Sequence, residues 1–129
     1  MVIGTGIDLV EIERFKAVLK RHGDRFLGRV FTKSERKYCD ARGHREAHYA
    51  ARFAAKEAVL KALGTGWSGG IRWTDVEVAH TGSDHLTGPV AVKLAGLAAK
   101  AAKKIGVKQI HLSITHSQLY ASAIAIAAK

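Results

Sequence analysis

Two acids in this sequence stand where acids are costly. Asp8 interrupts the run Gly6-Ile7-Asp8-Leu9-Val10, and Glu57 lies among small and apolar neighbours in Arg52-Phe53-Ala54-Ala55-Lys56-Glu57-Ala58. A carboxylate on such a face costs free energy unless something cationic meets it. Two carboxylates brought to one dry site repel unless a cation lies between them. Magnesium suits such a pair. It takes one or two carboxylates, keeps several waters and completes its shell with phosphate oxygens. Lys61, one helical turn beyond Glu57, is then placed to neutralise a phosphate. The plain alternative is a Glu57–Lys61 ion pair at i,i+4, worth roughly 0.2–0.5 kcal/mol. Gly64-Thr65-Gly66 follows and lets backbone approach a ligand. No Gly-x-x-x-x-Gly-Lys-Ser/Thr motif is present, which excludes a Walker-type nucleotide site. His116, on an apolar strand face, reads first as a hairpin histidine and second as a base.

These residues need a strand and a helix that meet. Residues 2–10 alternate as a strand. Ile3, Thr5, Ile7 and Leu9 take one face; Val2, Gly4, Gly6, Asp8 and Val10 take the other. The two glycines leave space beside Asp8 for something bulky. The helix expected over Glu46–Leu63 is rich in Ala, Leu, Lys and Glu and stops at Gly64. Phe53, Val59, Leu60 and Leu63 form its apolar side. Ala50 and Ala54 share the side of Glu57 and Lys61, where small residues allow close approach. A helix over Glu11–Arg21 buries Ile12, Phe15, Val18 and Leu19, carries Arg14 and Arg21 outside, and ends at Gly23. Thr32-Lys33-Ser34-Glu35 is a capping box that starts another helix. Strands are expected over Ile71–His80 and Leu86–Leu94, joined by a turn at Thr81-Gly82-Ser83-Asp84, with Pro89 marking an edge or a strand start. An Ala-rich helix over Ala95–Ile105 leads to a hairpin of Val107–Ser117 and Tyr120–Ala128. The expected fold class is α+β: one domain of helices packed on a largely antiparallel sheet. Trp67 and Trp73 read as core or interface residues.

Charge points to anionic partners. The net charge is +10, and residues 14–56 carry +9 of it, with 13 Lys and Arg against four acids. A field so concentrated recruits a polyanion, an acidic protein or a phosphorylated small molecule. A basic nucleic-acid-binding domain explains that charge but leaves Asp8 and Glu57 unexplained, and no helix-turn-helix or RNA-recognition signature accompanies it. The single Cys39 excludes an internal disulfide and a multi-cysteine metal site, and reads as a surface or half-buried thiol. The first residues open into a strand pattern rather than a signal sequence. No apolar run approaches the ~20 residues of a membrane span. A cytoplasmic protein without a membrane or nucleic-acid partner is expected.

Three segments carry a resemblance. Gly6-Ile7-Asp8-Leu9-Val10-Glu11-Ile12-Glu13-Arg14, then Arg52-Phe53-Ala54-Ala55-Lys56-Glu57-Ala58 with Lys61-Ala62-Leu63-Gly64-Thr65-Gly66, then Ser113-Ile114-Thr115-His116-Ser117 with Tyr120-Ala121, resemble the holo-[acyl-carrier-protein] synthase family. These are small 4′-phosphopantetheinyl transferases. The resemblance implies transfer of the phosphopantetheine arm of coenzyme A to a serine of an apo acyl carrier protein, with release of adenosine 3′,5′-bisphosphate. It implies Mg²⁺ held by Asp8 and Glu57, with Lys61 at the phosphate and assisting the leaving group. Arg45, Arg52, Gly64, Thr65, Gly66, Pro89 and His116 would line the nucleotide and diphosphate region. Arg14, Arg21 and Arg25 would grip the acidic carrier. A homotrimer with active sites at subunit interfaces is also implied. The Gly43-His44-Arg45 stretch lacks the fuller basic run the family carries there.

Overall fold

The computed structural model describes residues 1–82 and 88–129. In chain order the elements are β1 (Val2–Glu11), α1 (Ile12–Val30), α2 (Lys33–Asp40), α3 (Arg45–Leu63), one 3-10 turn (Trp73–Asp75), β2 (Val76–His80), β3 (Val90–Leu94), α4 (Gly96–Lys104), β4 (Gln109–His116) and β5 (Tyr120–Ala128). β1, β5 and β4 form an antiparallel sheet in that order; β2 and β3 pair antiparallel as a second, separate sheet. The α+β expectation holds, with two sheets in place of one. Among the described residues no helix is long and apolar enough to cross a membrane.

α3 is the axis of the core. Thirteen of its 19 residues are buried, so it is covered nearly all round and not along one apolar stripe. Its Ala-rich surface allows this. β5 presents Ala121, Ala123, Ala125 and Ala127 inward, all buried. β1 comes closer still: a Cβ on Gly4 would lie 2.1 Å from the Ala62 carbonyl oxygen, and one on Gly6 1.9 Å from that of Ala58. The space left by these glycines is therefore filled by the backbone of α3 itself. Gly6→Ala should destabilise the fold at or beyond the upper end of the ~1–3 kcal/mol typical of overpacking, because the obstacle is helix backbone and cannot swing away. Gly28→Ala is the contrast. It sits in a helix with only an Arg36 nitrogen 3.7 Å from the added methyl, and should be neutral or stabilising by up to ~1 kcal/mol. Urea denaturation of the two variants checks both.

Several boundaries differ from expectation. Gly23 does break α1, at φ 53° and ψ −133°, but the helix resumes over residues 24–30 and buries Leu27 and Val30. Val18 is exposed, not inward. The strand expected from Ile71 begins only at Val76, because residues 73–75 wind into a 3-10 turn closed by the Asp75 carboxylate on the Arg72 N–H at 3.0 Å. Pro89 immediately precedes β3. The Ser83-Asp84 part of the expected turn, and the start of the expected strand at Leu86, lie outside the described residues. Cys39 is fully buried, which pushes its thiol pKa up to about 12; it is an inert core residue.

The capping box at Thr32 forms as expected, and its Glu35 does more than cap. One carboxylate oxygen accepts the Thr32 N–H at 2.8 Å and faces the Lys56 ammonium at 2.8 Å; the other accepts the Val78 N–H at 2.8 Å. Lys56 also donates to the carbonyls of Trp73 and Val76. This buried pair ties α2, α3 and β2 together.

Candidate active site

Asp8 and Glu57 meet in one cavity. It measures about 480 Å³ and is lined by Asp8, Glu11 and Arg14 from β1 and α1, by Glu57 and Lys61 from α3, and by the rings of Phe15, Phe26 and Phe53. The close approach of β1 to α3 creates it. Gly4 and Gly6 seat the strand on the helix backbone, and Asp8, next on the same face, lines the cavity with Glu57 and Lys61. The Asp8 backbone is fixed from the other side, where Ser122 Oγ donates to its carbonyl at 2.9 Å.

Lys61 turns to Asp8, with Nζ 3.2 Å from Oδ1 and 2.8 Å from the Ile7 carbonyl. The i,i+4 pair with Glu57 does not form. Glu57 instead accepts a hydrogen bond from Trp67 Nε1 at 3.2 Å. Its pKa is raised above the usual 4.5, first by burial and also by the negative charge of Asp8. The Trp67 hydrogen bond and the Lys61 charge oppose the shift. Two carboxylates that face one cavity, with Glu57 half-buried there, form a donor set suited to a divalent cation. Among the described residues no group of three or more His, Cys, Asp or Glu side chains converges. The set therefore resembles that of a magnesium ion sharing its shell with water and phosphate, not that of a closed zinc site.

The other expected site residues are scattered. Arg14 reaches the same cavity, and Arg25 lines an adjoining one with His22 and Arg29. Arg21 is exposed on α1. Gly64 and Gly66 take left-handed backbone at φ 76° and 56°, and Thr65 Oγ1 donates to the Gly66 carbonyl at 3.0 Å. Arg45 pairs with Asp40 at 2.7 Å. Arg52 is buried, with its guanidinium 3.8 Å above the Tyr38 ring, one nitrogen 3.2 Å from His80 Nε2, and Nε without a hydrogen-bond partner. The Pro89 carbonyl accepts the Thr81 N–H. His116 stands 5.2 Å from the His48 ring, in a cavity shared with His44 and Glu46. Arg45, Arg52, Gly64, Thr65, Gly66, Pro89 and His116 thus do not line the Asp8–Glu57 cavity of their own chain.

The 4′-phosphopantetheinyl transferase superfamily model matches residues 4–124. The chain belongs to this superfamily. Within it the chain is an enzyme of the holo-[acyl-carrier-protein] synthase type. It is 48% identical over 117 residues to the holo-[acyl-carrier-protein] synthase of Solibacter usitatus, covering 91% of this chain and 90% of that one. The crystal structure of the Neisseria meningitidis holo-[acyl-carrier-protein] synthase superposes with a TM-score of 0.87 at 29% identity and full coverage of both chains. That of the Helicobacter pylori enzyme in complex with coenzyme A gives 0.80 at 25% identity, covering 96% and 99%. Sequence reasoning on this transferase missed Trp67 at the Glu57 carboxylate and the Phe15, Phe26 and Phe53 wall of the cavity. Phe15 and Phe53 carry helical spacing in the sequence and read there as ordinary core, while Phe26 lies past the helix end expected at Gly23, in the part where α1 resumes.

Proposed function

We propose that this protein transfers 4′-phosphopantetheine from coenzyme A to a serine of an apo acyl carrier protein, releasing adenosine 3′,5′-bisphosphate and requiring Mg²⁺. The observation that carries the reading is the convergence of Asp8, Glu57 and Lys61 in one cavity. The coenzyme A bound by the Helicobacter pylori relative supports the choice of donor. The whole chain acts as one catalytic domain, in the cytoplasm.

Asp8 and Glu57 would hold the ion, which when bound neutralises the diphosphate of coenzyme A. The chemistry is an exchange at phosphorus. A bond forms from the serine oxygen to phosphorus as the hydroxyl proton passes to solvent, the bond to the bridging oxygen breaks, and the nucleotide leaves with the electron pair. Lys61 sits beside Asp8, anchored by the Ile7 carbonyl. From there it meets negative charge on the leaving phosphate. Positioning and charge neutralisation supply most of the rate. Arg14, Arg21 and Arg25, all exposed on α1, face the acidic carrier.

Arg45, Arg52, Pro89 and His116 act on the nucleotide from a neighbouring copy, in a homotrimer with shared sites. The outward face of the β1-β5-β4 sheet supports that assembly: Ile7 and Leu9 are each 64% exposed and Ile124 is 43% exposed, an apolar face that asks for a partner.

The test is direct. Incubated with coenzyme A, Mg²⁺ and this protein, an apo acyl carrier protein should gain the mass of one phosphopantetheine group, and chelation of the metal should stop it. A set of acidic apo carriers left unchanged overturns the reading.

A further inference from the structure

The loop after α3 does more than end the helix. Left-handed Gly64 and Gly66 reverse the chain, the Thr65 N–H closes on the Leu60 carbonyl at 3.3 Å, and Ser68 Oγ closes on the Thr65 carbonyl at 2.7 Å. This places Trp67 back alongside the helix, where its indole N–H meets Oε1 of Glu57 at 3.2 Å. The indole is braced. Its centroid lies 3.5 Å from that of Trp73, which stacks on Phe53 at 4.9 Å with 23° between planes. Phe53 is itself a wall of the cavity. An indole nitrogen is a donor only and cannot compete with a carboxylate for a cation. A carboxylate with one oxygen occupied by a fixed donor has the other free and aimed.

We infer that Trp67 is a positioning residue for Glu57: its indole N–H holds Oε1, leaving Oε2 to bind the divalent cation in the cavity. The inference rests on the reading of Glu57 as a metal ligand. Partners of this kind orient a metal ligand from outside the coordination shell, and losing one typically costs about 10–100-fold in metal affinity.

Trp67→Phe keeps an aromatic ring in the stack and removes the N–H. On the purified full chain, calorimetric titration with Mn²⁺ should show binding weaker by about tenfold or more, at an unchanged melting temperature. A second measurement covers the case in which that variant folds poorly. The Trp67 indole N–H signal in an NMR spectrum, assigned from Trp73→Phe, should move on Glu57→Gln and again on adding Mg²⁺ to the wild type. If Glu57→Gln loses Mn²⁺ while Trp67→Phe binds it as tightly as the wild type, the positioning role is overturned and the metal site stands. A Trp67 signal indifferent to both Glu57→Gln and Mg²⁺ overturns the positioning role as well. If Glu57→Gln binds Mn²⁺ as tightly as the wild type, the metal reading falls and the role of Trp67 with it.

Discussion

Glu57→Gln is expected to lower phosphopantetheine transfer by roughly 10³-fold while leaving the metal-free protein at least as heat-stable as the wild type. The first half follows from charge. A divalent cation on a phosphoryl group contributes several kcal/mol of transition-state stabilisation, and each ~1.4 kcal/mol is tenfold in rate. With one of two carboxylates gone, most of that is lost. The second half follows from the direction of the Glu57 pKa, which burial and Asp8 raise above 4.5. Folding therefore favours the protonated carboxyl. The stability this contributes is full below the ordinary value and is lost as pH rises through the raised one. At neutral pH the Glu57 charge works against the metal-free fold, and Gln removes the charge while keeping the shape. Activity and stability should move apart, a pattern that damage to the fold cannot mimic. Turnover at the wild-type level refutes the metal role. A fall in melting temperature refutes the account of the cavity.

The two acids were legible in the sequence because a charge among small residues is rare and two glycines preceded one of them. Their convergence needed only the inference that the strand lies on the helix, and Gly4 and Gly6 carry that contact. What they bind to was less legible. Spacing along α3 favours a Glu57–Lys61 pair, yet Lys61 reaches across to β1, because Asp8 and the Ile7 carbonyl both lie within its span. Local spacing reports which groups share a face, and the packed strand decides which of them meet. Trp67 shows the same limit from the loop side. Two glycines announce a reversal after Leu63, but where the reversal delivers the indole depends on three backbone and hydroxyl contacts that no pattern encodes.

Charge counting was also incomplete. Of the 13 cations between residues 14 and 56, Lys56 is fully buried against Glu35 and adds little to any outward field. A count treats every lysine as solvated, and burial separates those that face a partner from those that hold the core.

Lys56 is the clearest case, and Glu35→Ala should expose its role with a loss of about 3–5 kcal/mol, the usual cost of breaking a buried pair by removing one member. Glu35 and Lys56 are 1% and 0% exposed. Without Glu35 the N–H groups of Thr32 and Val78 lose their acceptor, and the ammonium loses its counter-charge at 2.8 Å. Burial already pushes the Lys56 pKa below 10.5 in spite of that partner, so the ion is held only because Glu35 and two carbonyls surround it. Lys56→Met alone should also destabilise, since it strands the Glu35 carboxylate. Added to Glu35→Ala it should restore part of the loss, because the unpaired charge disappears while most of the side-chain volume stays. The double variant should then be more stable than the sum of the single losses predicts, by an amount in the ~0.5–3 kcal/mol range of contacting residues. Urea midpoints for the four proteins, at constant slope, measure this. Strictly additive losses would mean that the two side chains contribute independently, and that the link between α2, α3 and β2 lies elsewhere.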